Sequence, residues 1–138
     1  IEKKTSIGTV SYADTTVVNY STIYNSDYEL TPSLSKLAGT FNGKIAFSLG
    51  FEDATFIVLA DGTASGVGVS GCKTTGTFTP RPNGNVFNIV VNFGGFPCHF
   101  SNQTLTGIAY FDMTTKMLYS ATPNSDRTDG ILFVGTQQ

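Results

Sequence analysis

The stretch Val86-Phe87-Asn88-Ile89-Val90-Val91-Asn92-Phe93 alternates apolar and polar side chains, with Val86 and Val90 as apolar exceptions on the polar side. A period of two is that of a β-strand with one face in a core. The residues expected on the buried face are Phe87, Ile89, Val91 and Phe93. Asn88 and Asn92 are expected to face the solvent. The pattern therefore predicts a strand at the boundary between a hydrophobic core and water.

Seven further β-like segments accompany this strand, and each ends in residues that favour turns. The eight segments are Leu37–Leu49, Ala54–Ala60, Thr63–Ser70, Lys73–Thr79, Val86–Phe93, Thr104–Phe111, Met117–Ala121 and Asp129–Thr136. The connections are too short for crossover helices, so neighbouring strands are expected to be antiparallel. The predicted fold class is all-β: an antiparallel up-and-down β-barrel of about eight strands, with a β-sandwich as the alternative.

The turns refine this prediction. Asp61-Gly62 predicts a type I′ hairpin turn, in which both central residues have a positive φ. The connection Pro80–Asn85, stiffened by two prolines, predicts the next hairpin. Before the first barrel strand, Thr31 is expected to cap a helix of one or two turns with Pro32 at its first position. We expect this helix, near residues 32–37, to close one end of the barrel.

The first 30 residues form a separate pattern, outside the eight segments of the predicted barrel. Ser6–Tyr12 and Thr15–Tyr24 read as two strands joined near Ala13-Asp14, and they are followed by a polar turn. The predicted organisation is therefore a β-hairpin in residues 1–30 and a β-barrel domain in residues 31–138. The hairpin either completes the barrel or forms the last piece of a preceding domain.

Composition restricts the compartment and the partners. Only 13% of the 138 residues are charged, and the net charge is −2 with no cluster of Lys and Arg. This balance argues against nucleic acid and anionic membrane surfaces as partners. In such a chain the only two cysteines, Cys72 and Cys98, are expected to form a disulfide, which indicates an extracytoplasmic protein. Ile1 is not an initiator methionine, so the sequence is expected to be a mature or excised piece.

Catalytic residue types are scarce. His99 is the only histidine, and its neighbour Cys98 is expected to be in the disulfide. The carboxylates of Glu52-Asp53 are expected to lie in a turn, and so are those of Asp126 and Asp129. The segment 126–129 is expected to be a surface turn with a local ion pair through Arg127, the alternative being a loop that binds a polar ligand or calcium. No metal, cofactor or enzymatic site is predicted.

Several motifs carry a family resemblance. They are Thr31-Pro32-Ser33-Leu34, Leu37-Ala38-Gly39-Thr40-Phe41, Ser70-Gly71-Cys72, Thr77–Arg81, Gly84–Ile89, Pro97-Cys98, Gln103–Asp112 and Arg127–Thr136. In order and spacing, residues 30–138 resemble the C-terminal β-domain of an uncharacterised family of proteobacterial envelope lipoproteins. The motif Leu37-Ala38-Gly39-Thr40-Phe41 at the start of the first barrel segment, and the succession of short strands and turns, are also similar to avidin- and lipocalin-type barrels and to neisserial surface-lipoprotein barrels. His99 departs from the small apolar residue expected in the lipoprotein family, and without Trp the chain lacks the biotin pocket of avidins.

The resemblance implies a location in the periplasm or on the outer-membrane surface. It implies attachment to a membrane only through an N-terminal lipid anchor, which this sequence does not include. We expect a non-catalytic domain that binds an envelope or host macromolecule. The expected contact residues are Arg81, Phe96 and Arg127, because Arg and aromatic side chains anchor interfaces. The alternative is a carrier that holds a small hydrophobic ligand inside the barrel.

Overall fold

A computed structural model describes residues 5–138 and confirms the all-β fold class. Eight antiparallel strands form a closed barrel, in which the last strand pairs with the first. A two-stranded hairpin, β1 (Thr5–Ser11) and β2 (Val17–Ile23), precedes it. The barrel strands are β3 (Gly39–Phe47), β4 (Gly50–Val58), β5 (Thr63–Gly68), β6 (Lys73–Pro80), β7 (Phe87–Phe93), β8 (Thr104–Asp112), β9 (Met117–Pro123) and β10 (Gly130–Gln137).

Up-and-down connectivity sorts the connections onto two ends of the barrel. We call one the loop end; it carries the turns at residues 48–49 and 69–72 and the loops at residues 94–103 and 124–129. The other is the helix end, which carries the connections at residues 59–62, 81–86 and 113–116 and the chain entering β3. Each connection joins hydrogen-bonded neighbours in the sheet. Residues far apart in sequence therefore meet at each end.

The barrel interior is the core, and the alternation of β7 selects its inner face as predicted. Phe87, Ile89 and Phe93 are buried, Val91 is half-buried against the same cluster, and the two asparagines are exposed. In β8, whose pattern favours neither face, the pairing with β7 places the alternate residues Leu105, Gly107, Ala109 and Phe111 on the inner face. The register of a neighbouring strand thus decides the face where the sequence alone does not.

Glycines permit the close approach of strands in two places. A Cβ added to Gly107 would lie 1.9 Å from the carbonyl oxygen of Ala121 in β9. A Cβ added to Gly43 would lie 2.1 Å from the carbonyl oxygen of Val134 in β10. Both contacts are with backbone, which cannot swing aside as a side chain can. These positions therefore require glycine for the strands to pair at their observed spacing.

The helix at the entry to the barrel is a single turn, α1 (Leu34–Leu37), and the predicted cap is wrong. Its N-cap is Ser33, whose φ of −126° and ψ of 116° are extended, so Thr31 and Pro32 lie outside the helix. The two leucines of α1 explain where it lies. Leu37 is fully buried and Leu34 packs against the core, so the helix is placed by its apolar contacts rather than by its cap.

The turn between β4 and β5 also differs from the prediction. Gly62 has a φ of 87°, but Asp61 is not among the residues with positive φ, so the turn is not type I′. The N–H of Gly62 donates to the carbonyl of Leu59, which closes a β-turn with Ala60 and Asp61 at its centre, and the N–H of Leu59 donates to the carbonyl of Thr63. The Asp61 carboxylate accepts hydrogen bonds from both the N–H and the hydroxyl of Thr63. These two bonds stabilise an Asx-type turn that the dipeptide alone does not specify.

The N-terminal hairpin forms a sheet of its own, distinct from the barrel. All its strand residues are exposed except Gly8, which the ring of Tyr20 partly covers. A 3₁₀ turn at Ser26–Glu29 follows, and there the carbonyl of Tyr28 accepts a hydrogen bond from the N–H of Asn85 at the helix end. The 3₁₀ turn after the hairpin is thus hydrogen-bonded to the barrel.

Candidate interaction site at the loop end

The three expected contact residues do not share one surface. Phe96 and Arg127 lie at the loop end, whereas Arg81 lies in the connection at the helix end. The expectation that Arg81, Phe96 and Arg127 act together is therefore wrong, because successive antiparallel strands end at opposite ends of the barrel. Arg81 donates its backbone N–H to Val86, as expected for a residue that braces the proline turn.

Arg127 does not pair with its acidic neighbours. In the described part of the chain it makes no ion pair, and its φ of 59° marks a left-handed turn residue. Asp126 instead accepts a hydrogen bond from the hydroxyl of Thr128. The predicted local ion pair is therefore wrong, and the guanidinium is available at the surface of the loop end.

A disulfide joins two of the connections at this end. Cys72 and Cys98 are bonded, as predicted, and their bridge links the 69–72 turn to the 94–103 loop. The N–H of Gly94 donates to the carbonyl of Lys73 at 2.9 Å, next to the bridge. Phe96 does not cover the disulfide, since 97% of its surface is exposed. The bridge thus holds a loop that carries an aromatic side chain out into the solvent.

Asp129 joins the 94–103 loop to two further connections at this end. Its Oδ2 accepts the hydroxyl of Ser48 at 2.7 Å and lies 2.9 Å from Nε2 of His99. Its Oδ1 accepts the N–H groups of Gly130 at 2.7 Å and Ser48 at 3.2 Å. The carboxylate therefore joins the 48–49 turn, the 94–103 loop and the 124–129 loop, which are 30 to 81 residues apart in sequence.

These bonds hold the pKa of Asp129 well below its usual value. The Ser48 hydroxyl contributes most, followed by the His99 imidazole and the Gly130 N–H. Donors that bond only to the ionised carboxylate favour its charged form. The anion at this junction is thus part of the folded structure.

His99 has more contacts than a simple loop residue. Its ring stacks on Phe47 at 4.9 Å between centroids and meets the edge of Phe100 at 4.6 Å. Its side chain is 25% exposed. Sequence reasoning missed this junction because Ser48, His99 and Asp129 lie in three separate connections. The three residues share no common signal in the sequence, because Ser48 was predicted at the end of the segment Leu37–Leu49 and His99 in a loop.

Serine, histidine and aspartate are the residue types of a hydrolytic triad, but their order here is different. A triad needs the serine hydroxyl bonded to the histidine, which then acts as its base. At the loop end the hydroxyl of Ser48 donates to Asp129, and His99 bonds the same carboxylate oxygen. The aspartate stands between the other two, so the histidine is not placed to activate the serine.

The expected turn carboxylates at 52 and 53 lie in a strand instead. Glu52 and Asp53 belong to β4, where successive side chains point to opposite faces. Glu52 accepts the N–H of Ser70, and Asp53 bonds the exposed ammonium of Lys44 at 2.6 Å. These carboxylates therefore do not face one another across a cleft.

Large apolar side chains are concentrated at the loop end. Every large hydrophobic residue of the barrel that is more than 70% exposed lies there, on its connections or at the start of β4. These residues, which we call the apolar rim, are Leu49 (79%), Phe51 (72%), Val69 (76%) and Phe96 (97%). Exposed apolar residues that cluster mark interaction surfaces more often than scattered ones do.

An apolar row continues from the rim down the outer wall. The strand register places side by side five outward residues of five adjacent strands: Phe51, Ala46, Leu132, Ala121 and Ile108. Leu132 is 57% exposed and Ile108 is 49% exposed. Phe51 belongs to both features, so the row begins at the rim.

The barrel interior leaves little room. Its cavity measures about 40 Å³, and its walls include Ile45, Ile89, Phe133 and the hydroxyl-bearing Thr74 and Thr122. This volume suits one or two water molecules, whereas pockets for small organic ligands measure about 300–1,000 Å³. Large side chains fill the rest, among them Phe41, Phe87 and Phe111, all fully buried.

Two searches of the described residues give negative results. Within residues 5–138, no three His, Cys, Asp or Glu side chains come together as a group that could hold a metal ion. No helix in that range is long and apolar enough to cross a bilayer. Comparison of the chain with protein-family models, curated proteins and solved structures finds no match.

Proposed function

We propose that this chain is a non-catalytic binding domain of an exported bacterial lipoprotein, and that it binds a protein or another surface macromolecule at the loop end of the barrel. The observation that carries the proposal is the apolar rim on cross-braced connections. Leu49 and Phe96 project from segments that the Asp129 bonds hold together. Such pre-organisation lowers the entropy cost of binding.

The apolar rim and the nearby connections of the loop end together have the composition of an interface centre. Phe51 and Phe96 supply large apolar area, and Arg127 supplies a cation without an ion-pair partner among residues 5–138. Aromatic and arginine side chains are enriched at the buried centres of interfaces, where charged residues are otherwise depleted. The disulfide supports placement in an oxidising compartment, such as the periplasm or the outer surface.

The two competing functions have less support. A carrier of small hydrophobic ligands would need an interior several times larger than the cavity of about 40 Å³. A hydrolase would need a base beside its nucleophile, whereas the Ser48 hydroxyl is bonded to Asp129. Both observations favour recognition on the outside of the barrel.

Acidic substitutions at the rim test the proposal. Leu49→Asp combined with Phe96→Asp is expected to reduce binding to envelope or host proteins at least ~10-fold, because desolvating a carboxylate in an apolar contact is costly. The measurement is affinity capture with the purified chain as bait, followed by quantitative mass spectrometry. The control is Leu59→Asp, which introduces an aspartate, with one of the two added charges, at an exposed position of the helix end.

A partner that the wild type and Leu59→Asp capture equally, and that the double variant loses, supports the loop end as the binding surface. Equal capture by all three proteins would contradict it. All three are expected to unfold at similar denaturant concentrations, because the replaced side chains are exposed.

The Asp129 junction makes a separate prediction about pH. The pKa of Asp129 is lower in the folded chain than its ordinary value of 3.8, so the ionised carboxylate stabilises the fold above that value. This stabilisation is lost progressively as the pH falls from about 5 toward the folded pKa. We expect Asp129→Asn to lower Tm most at pH 7 and to lower it less at pH 2.5, where part of the stabilisation is already lost. Ser48→Ala, which removes the main donor without changing charge, should show the same trend, and a loss in Tm independent of pH would contradict this account.

A further inference from the structure

The N-terminal hairpin has unsatisfied main-chain groups along both edges. In the described residues, β1 pairs only with β2, and neither strand belongs to the barrel sheet. A two-stranded hairpin that packs on nothing is marginally stable in water. The barrel cannot complete it by strand pairing, because a closed barrel has no free edge.

The hydrogen-bond phase of the hairpin identifies the free groups. The N–H of Tyr12 donates to the carbonyl of Thr16 at 2.8 Å, and these two residues continue the β1–β2 register. In an antiparallel ladder, pairs that exchange both hydrogen bonds alternate with pairs that exchange none. The pairs that exchange none have their main-chain groups pointing away from the hairpin. They are Ser11↔Val17, Thr9↔Asn19, Ile7↔Ser21 and Thr5↔Ile23.

The edges lack the features that normally protect exposed strands. Natural edge strands carry Lys, Pro, inward charges or bulges that prevent pairing. Neither β1 nor β2 contains a charged residue or a proline, and the hairpin turn carries only Asp14. Both faces also expose β-branched side chains, with Val10 and Val18 on one side and Ile7 and Ile23 on the other.

From these observations we infer that the hairpin is a second binding element, which takes up an extended β-strand of a partner protein by main-chain pairing along β2. Strand addition to a free edge is a recurring way of recognising extended peptides. The partner strand should be uncharged and rich in alternating Thr, Ser and β-branched residues, because such side chains match the neutral faces of the hairpin. A second copy, paired β2 to β2 about a two-fold axis, is the competing occupant, and the dependence of protection on protein concentration distinguishes it.

The probe for this inference is a synthetic peptide with the sequence of β1, because its uncharged side chains already lie beside those of β2 in the hairpin. At millimolar peptide, the amides of Asn19, Ser21 and Ile23, which point outward, are expected to exchange hydrogen at least ~10-fold more slowly in NMR measurements on the full chain. A peptide with the same side chains but alternate amides N-methylated is expected to have no effect, because it cannot donate to the edge.

Substitutions at a single edge position give the matched pair. Ser21→Pro removes an outward N–H without removing a β1–β2 bond, so it should abolish protection, whereas Ser21→Ala keeps the N–H and should retain it. Amides that bond β1, such as those of Tyr20 and Thr22, report that the hairpin is still formed in both variants.

Three outcomes would overturn the inference. One is the absence of protection by the β1 peptide in the Ser21→Ala variant. The second is equal protection by the N-methylated peptide, which would indicate side-chain contacts only. The third is protection without peptide that disappears on dilution, which would assign the edge to a second copy. Because the rim variants leave the hairpin unchanged, this result is independent of binding at the loop end.

Discussion

Phe111→Ala is expected to destabilise the chain by about 3–5 kcal/mol, the range for removing a buried aromatic ring. Phe111 is 2% exposed and meets the ring of Phe41 edge to face at 5.8 Å. Because the barrel is closed, its strands cannot collapse easily into the space that the ring leaves. The measurement is urea unfolding followed by circular dichroism, with the free energy of unfolding extrapolated to water.

The control is a phenylalanine of the same barrel on the opposite side of the wall. Phe51 is 72% exposed, so Phe51→Ala is expected to change the free energy of unfolding by no more than about 0.5 kcal/mol. Similar losses for the two variants would mean that inward and outward faces were wrongly assigned. A loss below about 1 kcal/mol for Phe111→Ala would contradict its central place in the core.

Removing the disulfide is expected to have an effect of similar size. Cys72 and Cys98 are 26 residues apart, so the bridge closes a loop of about 27 residues. In the chain-entropy model, a bridge that closes such a loop restricts the unfolded chain and thereby stabilises the folded state by about 3.5 kcal/mol. This stabilisation is lost when the bridge is removed. We therefore expect the double variant Cys72→Ala, Cys98→Ala to unfold at a much lower urea concentration than the wild type.

A reductant separates the bridge from the packing of the sulfur atoms. Dithiothreitol should lower the unfolding midpoint of the wild type towards that of the double variant and leave the variant unchanged. A wild type that shows no response to complete reduction would refute a stabilising role for the bridge. On reduction, the loop end should be destabilised before the rest of the barrel, because the bridge joins two of its connections.

Most of the fold was predictable from patterns within short stretches of sequence. The eight predicted segments match the barrel strands to within a few residues, because alternation and turn chemistry act over two to eight positions. The disulfide was also predictable, since the chain contains only two cysteines. The errors were local too: the cap of α1 and the turn at Asp61-Gly62 depend on burial and on side-chain bonds that short motifs do not encode.

The candidate site was only partly predictable. Phe96 and Arg127 were identified from residue type, but their separation from Arg81 follows from the direction of the strands that precede them. The apolar rim has no sequence signature, because its members lie on three connections and at the start of β4, between residues 49 and 96. Function itself stays a proposal that the capture experiment tests.

By itself, the sequence determined which segments become strands and which faces can be buried, because these depend on residues within one segment. The closure of the sheet into a barrel depends on the tertiary structure, since the pairing of β10 with β3 joins residues about 90 positions apart. The same closure brought Ser48, His99 and Asp129 into contact and collected the apolar rim at one end. It also left the hairpin without an edge to join, because a barrel satisfies its own main-chain hydrogen bonds.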